Sequence, residues 1–247
     1  MTQLVKLCYR NILENSTVNV TTENSSYPKY RLYDRDIGKL FKGTAFASPF
    51  SINIDQGASV SYEVNRLLIP AGHNLNGLAC SLRYSTDNFV SDDHEAIGWT
   101  QGDALLIDKS FTAQTKRYWR LNITAPATII ELPEMFLTKE YTFQRNPSYG
   151  FEDRIKRNIE RWETQSGRVR RVKNGDPRRS RRYELTKIAS AQKTDFESWE
   201  AVCEGIKYFY IQDINGSVFF AELMEEIAFK MEQENRWGTT IDILEVL

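Results

Sequence analysis

The chain has 247 residues, 41% hydrophobic and 26% charged, with 32 Lys and Arg against 33 Asp and Glu. This balance excludes a collagen-like, wholly disordered or disulfide-scaffold protein. A net charge of −1 also excludes a nucleic-acid polycation over the whole length. Cys8, Cys80 and Cys203 are odd in number and far apart, with neither zinc spacing nor a CxxC pair, and fit a reducing compartment. No apolar run approaches the roughly 18 residues of a membrane helix. The first eight residues carry no signal-peptide core, so the sequons at Asn15, Asn19, Asn24, Asn122 and Asn215 read as chance. Two histidines leave little room for His-based metal sites or triads, and an enzyme is not expected.

In chain order, the first 137 residues read as short strands separated by Gly, Asn, Asp and Pro. Ser51–Asp55, Arg66–Pro70, Ala79–Tyr84 and Tyr118–Thr124 are the clearest. In the last, Trp119, Leu121 and Ile123 share one face and Tyr118, Arg120, Asn122 and Thr124 the other, as a half-buried antiparallel strand requires. The expected fold here is a β-sandwich. Near residue 138 the texture changes, with a turn-rich junction over Arg145–Gly150.

The next segment is basic. From Arg154 to Arg182 there are twelve Lys and Arg against three acids, a local charge of +9. Residues 183–247 carry five Lys and Arg against thirteen acids, a local charge of −8. Gly175-Asp-Pro177 in the basic run reads as an exposed loop or hairpin tip. A helix capped at Thr194 or Asp195 places Phe196, Trp199, Val202 and Cys203 on one stripe and stops at Gly205. Strands are expected over Ile206–Ile211, Ser217–Leu223, Ile227–Glu232 and Thr239–Val246, with an Asn-Gly turn at Asp213–Gly216. On such a strand Glu225 and Glu226 point to opposite faces.

The order Tyr30-Arg-Leu-Tyr-Asp-Arg-Asp36, Phe50–Gly57, Arg66–Leu75 with its Gly72-His-Asn-Leu75, Ser81–Asn88, Lys116–Ile123 and Ile129–Leu132 resembles the galactose-binding-like, discoidin-type jelly roll over about residues 10–137. The Gly-His-Asn-Leu form resembles the version found in phage virion proteins. From Arg181–Thr186 through Ile243–Val246, the second half resembles the tail-tube-like β-barrel of phage distal-tail and minor tail proteins. These resemblances imply a mainly β chain, with a jelly-roll sandwich over 1–137 and a β-barrel with one helix and a basic loop 168–182 over 138–247. They imply a non-enzymatic structural protein of a phage tail tip or baseplate, made in the host cytoplasm and ending in the virion. It would form a homo-oligomeric ring, preferably a hexamer, that continues the tail tube and docks other tip proteins. No cofactor and no membrane partner are implied.

Candidate sites follow from both readings. Arg168, Arg170, Arg171, Lys173, Arg178, Arg179, Arg181 and Arg182 are the candidate assembly or lumen contacts, pairing with the acidic stretch of a neighbouring copy. The alternatives are a solvated basic loop or phosphate contact with DNA passing through a lumen, the latter poorly served by aromatics. The alternative function is a carbohydrate-binding adhesion module for a host-surface glycan, gripping sugar with Tyr33, His73, Asn74 and Trp99, helped by Tyr27 and Tyr30. The alternative for His73 and Asn74 is a turn whose Asn tolerates the left-handed region and whose Gly relieves strain. Asp34, Asp36, Asp55, Asp87, Asp92 and Asp93 are oxygen donors of the type calcium takes, but lack a 12-residue loop pattern, so no metal site is assigned. Asp92-Asp-His94 has no nucleophile motif beside it and reads as a solvated turn.

Overall fold

The alternation in Tyr118–Thr124 holds: Trp119, Leu121 and Ile123 are fully buried while Tyr118, Arg120 and Asn122 are half-buried. In a computed structural model, which describes every residue except 1, 2, 46, 60, 127, 149–151, 158, 164, 166, 167, 174, 175 and 247, this strand is the centre of a five-stranded antiparallel sheet. Its order is Thr17–Val20, Phe50–Asp55, Tyr118–Thr124, Ala79–Ser85, His94–Thr100. A three-stranded antiparallel sheet, Phe136–Thr138, Glu63–Ile69 and Ile107–Thr115, supplies the second layer. Ile52, Ile54, Leu82 and Leu121 from the first meet Val64, Leu67, Ile69 and Leu137 from the second in one core. Each such side chain stabilises the unit by about 1.5–3 kcal/mol on leaving water. This is the expected jelly-roll sandwich.

Arg66 and Glu134 are charged residues buried within this unit. Arg66 binds Asp108 through two hydrogen bonds of 2.8 and 2.7 Å and Glu140 through one of 2.6 Å, so its charge is fully matched. Glu134, fully buried, accepts from Asn11 Nδ2 and from the Arg35 backbone N–H, and burial pushes its carboxyl well up.

The second unit is an eight-stranded antiparallel sheet: Tyr141–Thr142, Lys6–Cys8, Phe209–Gln212, Val218–Leu223, Arg236–Glu245, Arg178–Ala189 and Glu152–Lys156, with Phe229–Gln233 also paired to Arg236–Glu245. Among the described residues the ladder ends on Tyr141–Thr142 and Glu152–Lys156, so this sheet is open rather than the closed barrel the resemblance implies. The helix Ser190–Cys203 lays Phe196, Trp199 and Cys203 on Tyr183, Phe209, Ile211 and Ile243. It begins ahead of the expected cap, and the Thr194 hydroxyl donates back to the Ser190 carbonyl inside it. It ends as expected at Gly205, after Glu204 in the left-handed region. The Asn-Gly turn joins Phe209–Gln212 to Val218–Leu223, with Gly216 at a φ of 81° and its N–H bonded to the Asp213 carbonyl at 2.8 Å.

Residues 1–9 belong to this second unit, since Lys6–Cys8 pairs with Phe209–Gln212 and Tyr141–Thr142. The sandwich therefore spans Arg10–Glu140 and interrupts the other unit, where the sequence reading divides the chain once at 137/138. A pairing over two hundred residues leaves no local trace in a strand of three.

Candidate functional site

In the sandwich, Val20 lies opposite Ile52, Ala79 opposite Thr100 and Thr124, and Phe136 opposite Leu68. The segments 21–49, 70–78, 101–106 and 125–135 therefore leave the sheets at one common end. Five of the six residues named for sugar lie on these loops: Tyr27, Tyr30, Tyr33 and the His73-Asn74 pair sit in the first two, whereas Trp99 lies on a strand.

The loop bearing the tyrosines is tightly held. Asn24 Oδ1 accepts from Ser26 N–H at 2.9 Å, the Tyr27 N–H donates to the Asn24 carbonyl at 2.8 Å, and Glu23 accepts from the Lys29 N–H. A short helical turn, Lys29–Leu32, buries Leu32, whose carbonyl accepts from Met135 N–H at 2.7 Å. This frame leaves Tyr30 52% exposed and Tyr27 36% exposed. The Arg31 guanidinium lies 5.1 Å and the Lys42 ammonium 4.8 Å from the Tyr27 ring centre, both at cation–π range. Lys42 also pairs with Glu131 at 2.9 Å. Tyr33 packs against the core, and burial, then the Glu23 charge, raises its hydroxyl pKa, so it stays neutral.

The other named residues are structural. His73 is buried, with Nε2 2.8 Å from the Leu105 carbonyl and Nδ1 accepting from Leu75 N–H at 3.2 Å. Both ring nitrogens are used, and burial pulls the imidazole pKa down. Asn74 donates to the Ile129 carbonyl at 2.7 Å and accepts from Glu131 N–H at 2.9 Å, clamping its turn to the last loop. Trp99 stands opposite buried Cys80 and packs on the core. His73 and Asn74 thus spend their polar groups on the framework, and Trp99 is half-buried with its ring against the core.

The acidic candidates do not converge. Asp55 holds Arg117 through bonds of 2.6 and 2.9 Å, and Asp93 holds Arg83 at 2.6 Å. Asp34 and Asp36 accept backbone N–H bonds two residues on. Asp87 accepts the N–H groups of Val90, Ser91 and Asp92 and the hydroxyls of Ser85 and Ser91, which hold its carboxyl far below the usual range. His94, at the start of the strand His94–Thr100, pairs with Asp92 at 2.6 Å and stacks on Tyr84. Among the described residues no three His, Cys, Asp or Glu side chains are grouped to hold a metal ion.

In the second unit the basic run forms a hairpin arm. Its ladder runs from Glu152↔Arg182 to Lys156↔Arg178 and resumes from Ile159↔Lys173 to Glu163↔Val169. Each of the two ladders is five residues long, roughly 16 Å at about 3.3 Å per residue. Of the expected exposed loop or hairpin tip at 175–177, Gly175 falls outside the described residues, while Asp176 and Pro177 are exposed and lie between the strands Val169–Lys173 and Arg178–Ala189. Every residue of Glu152–Lys156, Ile159–Glu163 and Val169–Lys173 is exposed. Arg168, Arg170, Arg171, Lys173, Arg178 and Arg179 are exposed on this arm. Arg182 is also exposed but lies against Asp242 at 3.3 Å. Arg181 is the exception: it is buried against Asp213 and beneath the Phe219 ring, so it is corrected from a contact residue to an anchor.

At the foot of the arm runs an acidic groove of about 370 Å³, lined by Glu184, Glu225, Glu226, Glu232 and Asp242 with Arg182 and Lys230. Glu225 and Glu226 sit between strands, so both face this groove instead of diverging as a strand would make them. Nothing in the local pattern announces the groove, since its walls come from three separate strands.

No protein-family model matches the chain, and no curated protein matches it in sequence. Solved structures do. A chitosan-binding module 1 derived from a Paenibacillus sp. IK-5 chitosanase/glucanase is 21% identical, with a TM-score of 0.45 over 53% of this chain and 99% of the module. The Clostridium perfringens module CpGH89CBM32-5, in complex with GalNAc-β-1,3-galactose, is 14% identical at a TM-score of 0.45. It covers the same shares of the two chains. The family 32 module of C. perfringens NanJ, in complex with galactose, is 12% identical at 0.45, over 54% of this chain and 99% of that one. These likenesses cover about half of this chain.

Proposed function

We propose that the chain is a non-enzymatic binding protein whose sandwich recognises a glycan at its loop-bearing end. The observation that supports this is the pair of exposed rings, Tyr27 and Tyr30, on a hydrogen-bonded frame with Arg31 and Lys42 beside them. A sugar presents an apolar C–H face to such rings and hydroxyls to the cations, the mix of aromatic wall and few polar groups that ligand sites use. The candidate carboxylates and histidines are instead bound into loops and ion pairs. Binding of the full chain to a glycan array tests this: retention that Tyr30→Ala and Tyr27→Ala abolish supports it, and an array with no specific signal refutes it.

A second reading rests on a different observation, the arm with both faces in solvent. A two-stranded hairpin alone is marginal in water, so an arm of this length suits a subunit of a larger assembly. In the terms of the sequence resemblance, that assembly is a phage tail tip or baseplate. A defined oligomer of the purified chain supports this reading.

A further inference from the structure

The arm carries like charges where a free hairpin is least able to bear them. Arg161 stands directly opposite Arg171, and Lys156 opposite Arg178. Like charges facing each other across two strands are destabilising, and among the described residues Arg161, Arg170 and Arg171 form no ion pair. Apolar side chains are interleaved with them: Ile155, Ile159, Trp162, Val169 and Val172 are each 41–60% exposed. Such a surface, basic and apolar on both faces, gains most from an acidic partner with some apolar floor.

The same unit carries that surface. Five carboxylates line the groove against two cations, of which Arg182 is already engaged with Asp242. An adjoining cavity of about 500 Å³ shares Glu225 and Glu226, adds Glu200 and Glu204, and has Leu223 and Met224 as its apolar floor. At the foot of the arm Arg182 meets Asp242 of the groove at 3.3 Å, and Arg178 lies 4.0 Å from Glu222 on the strand Val218–Leu223. The geometry points to docking of the arm of one copy in the acidic groove of a second copy, with Arg161, Arg170 and Arg171 meeting Glu225 and Glu226. This contact is heterologous, since arm and groove are different surfaces, and so it propagates from copy to copy or closes into a ring. The inference rests on the assembly reading and names its two faces.

The test uses the full chain in mass photometry and sedimentation velocity at low and high salt. The wild type is expected to associate at low salt and dissociate at high salt. Arg170→Glu with Arg171→Glu, and separately Glu225→Lys with Glu226→Lys, are each expected to weaken association by about a hundredfold, since like charges then meet across the contact. All four positions are in solvent, so melting temperatures should stay unchanged and separate lost docking from lost folding. Mixing the two variants places a reversed arm against a reversed groove and is expected to restore a complex that neither forms alone. An oligomer that survives both reversals, or is lost without rescue on mixing, overturns the arm–groove contact while leaving assembly standing. A monomer at every salt overturns both. A monomer that instead binds added duplex DNA through the arm makes the basic rows a phosphate-binding surface and also overturns the inference.

Discussion

Arg181 Nη1 lies 3.1 Å from Asp213 Oδ2, with both side chains at most 2% exposed. This pair fixes the strand that becomes the arm to the turn joining two central strands. The guanidinium is covered on one side by Phe219, 4.4 Å from the ring centre, and the Tyr183 hydroxyl donates to Asp213 at 3.4 Å. Burial, with the Asp213 charge added, raises the Tyr183 pKa, so its proton stays in place.

Asp213→Ala removes the buried counter-charge of the Arg181 guanidinium, leaving the more exposed Asp153 carboxylate 3.7 Å away. The expected loss is about 3–5 kcal/mol of stability, against under about 0.5 kcal/mol for Arg179→Ala two residues away in solvent. Urea denaturation of the two variants checks this, and equal midpoints contradict it.

His73 gives the sandwich an acid sensitivity. Burial lowers its pKa in the folded state, so the unfolded chain binds the proton more readily. Its contribution is therefore fully present above the unfolded value, about 6.5, and is lost as pH falls below it. His73→Gln should flatten the change in unfolding midpoint between neutral and mildly acidic pH. An unchanged slope counts against a desolvated, neutral imidazole.

Asp87 acts at lower pH. The Ser91 hydroxyl, the Ser85 hydroxyl and the surrounding backbone N–H groups lower its pKa, so the stability it lends is present above the unfolded value, about 4, and is lost as pH falls below that. Asp87→Ala frees these donors and should open the loop between Ser85 and His94 to protease at neutral pH. Cleavage there no faster than in the wild type would show the loop is held by other contacts.

Much of the sandwich is legible in the sequence because its strands alternate: Tyr118–Thr124 reveals its inner face residue by residue. The second unit is less legible. Its first strand, Lys6–Cys8, is too short to carry a period, and its partners lie far along the chain. The charge segregation is visible in the sequence, but the burial of Arg181 among seven exposed basic neighbours is not, since only the fold brings Asp213 to it. The sequence reading places the sugar candidates on loops that the fold gathers at one end of the sandwich, but it does not show which of them the framework uses. His73 and Asn74 are polar in a turn, which reads equally as a ligand contact or as a turn clamp. Only the hydrogen bonds to Leu105, Leu75, Ile129 and Glu131 decide for the clamp. The exposed pair Tyr27 and Tyr30, flanked by Arg31 and Lys42, emerges from three-dimensional proximity across fifteen residues of chain.

The central claim is that the tyrosine end of the sandwich is a glycan site. Array binding by the wild type beside Tyr30→Ala and His73→Gln tests it most directly. The account predicts specific retention by the wild type, loss with Tyr30→Ala, and retention kept by His73→Gln wherever that variant is folded. Binding that survives Tyr30→Ala together with Tyr27→Ala, or no specific binding by the wild type, contradicts it.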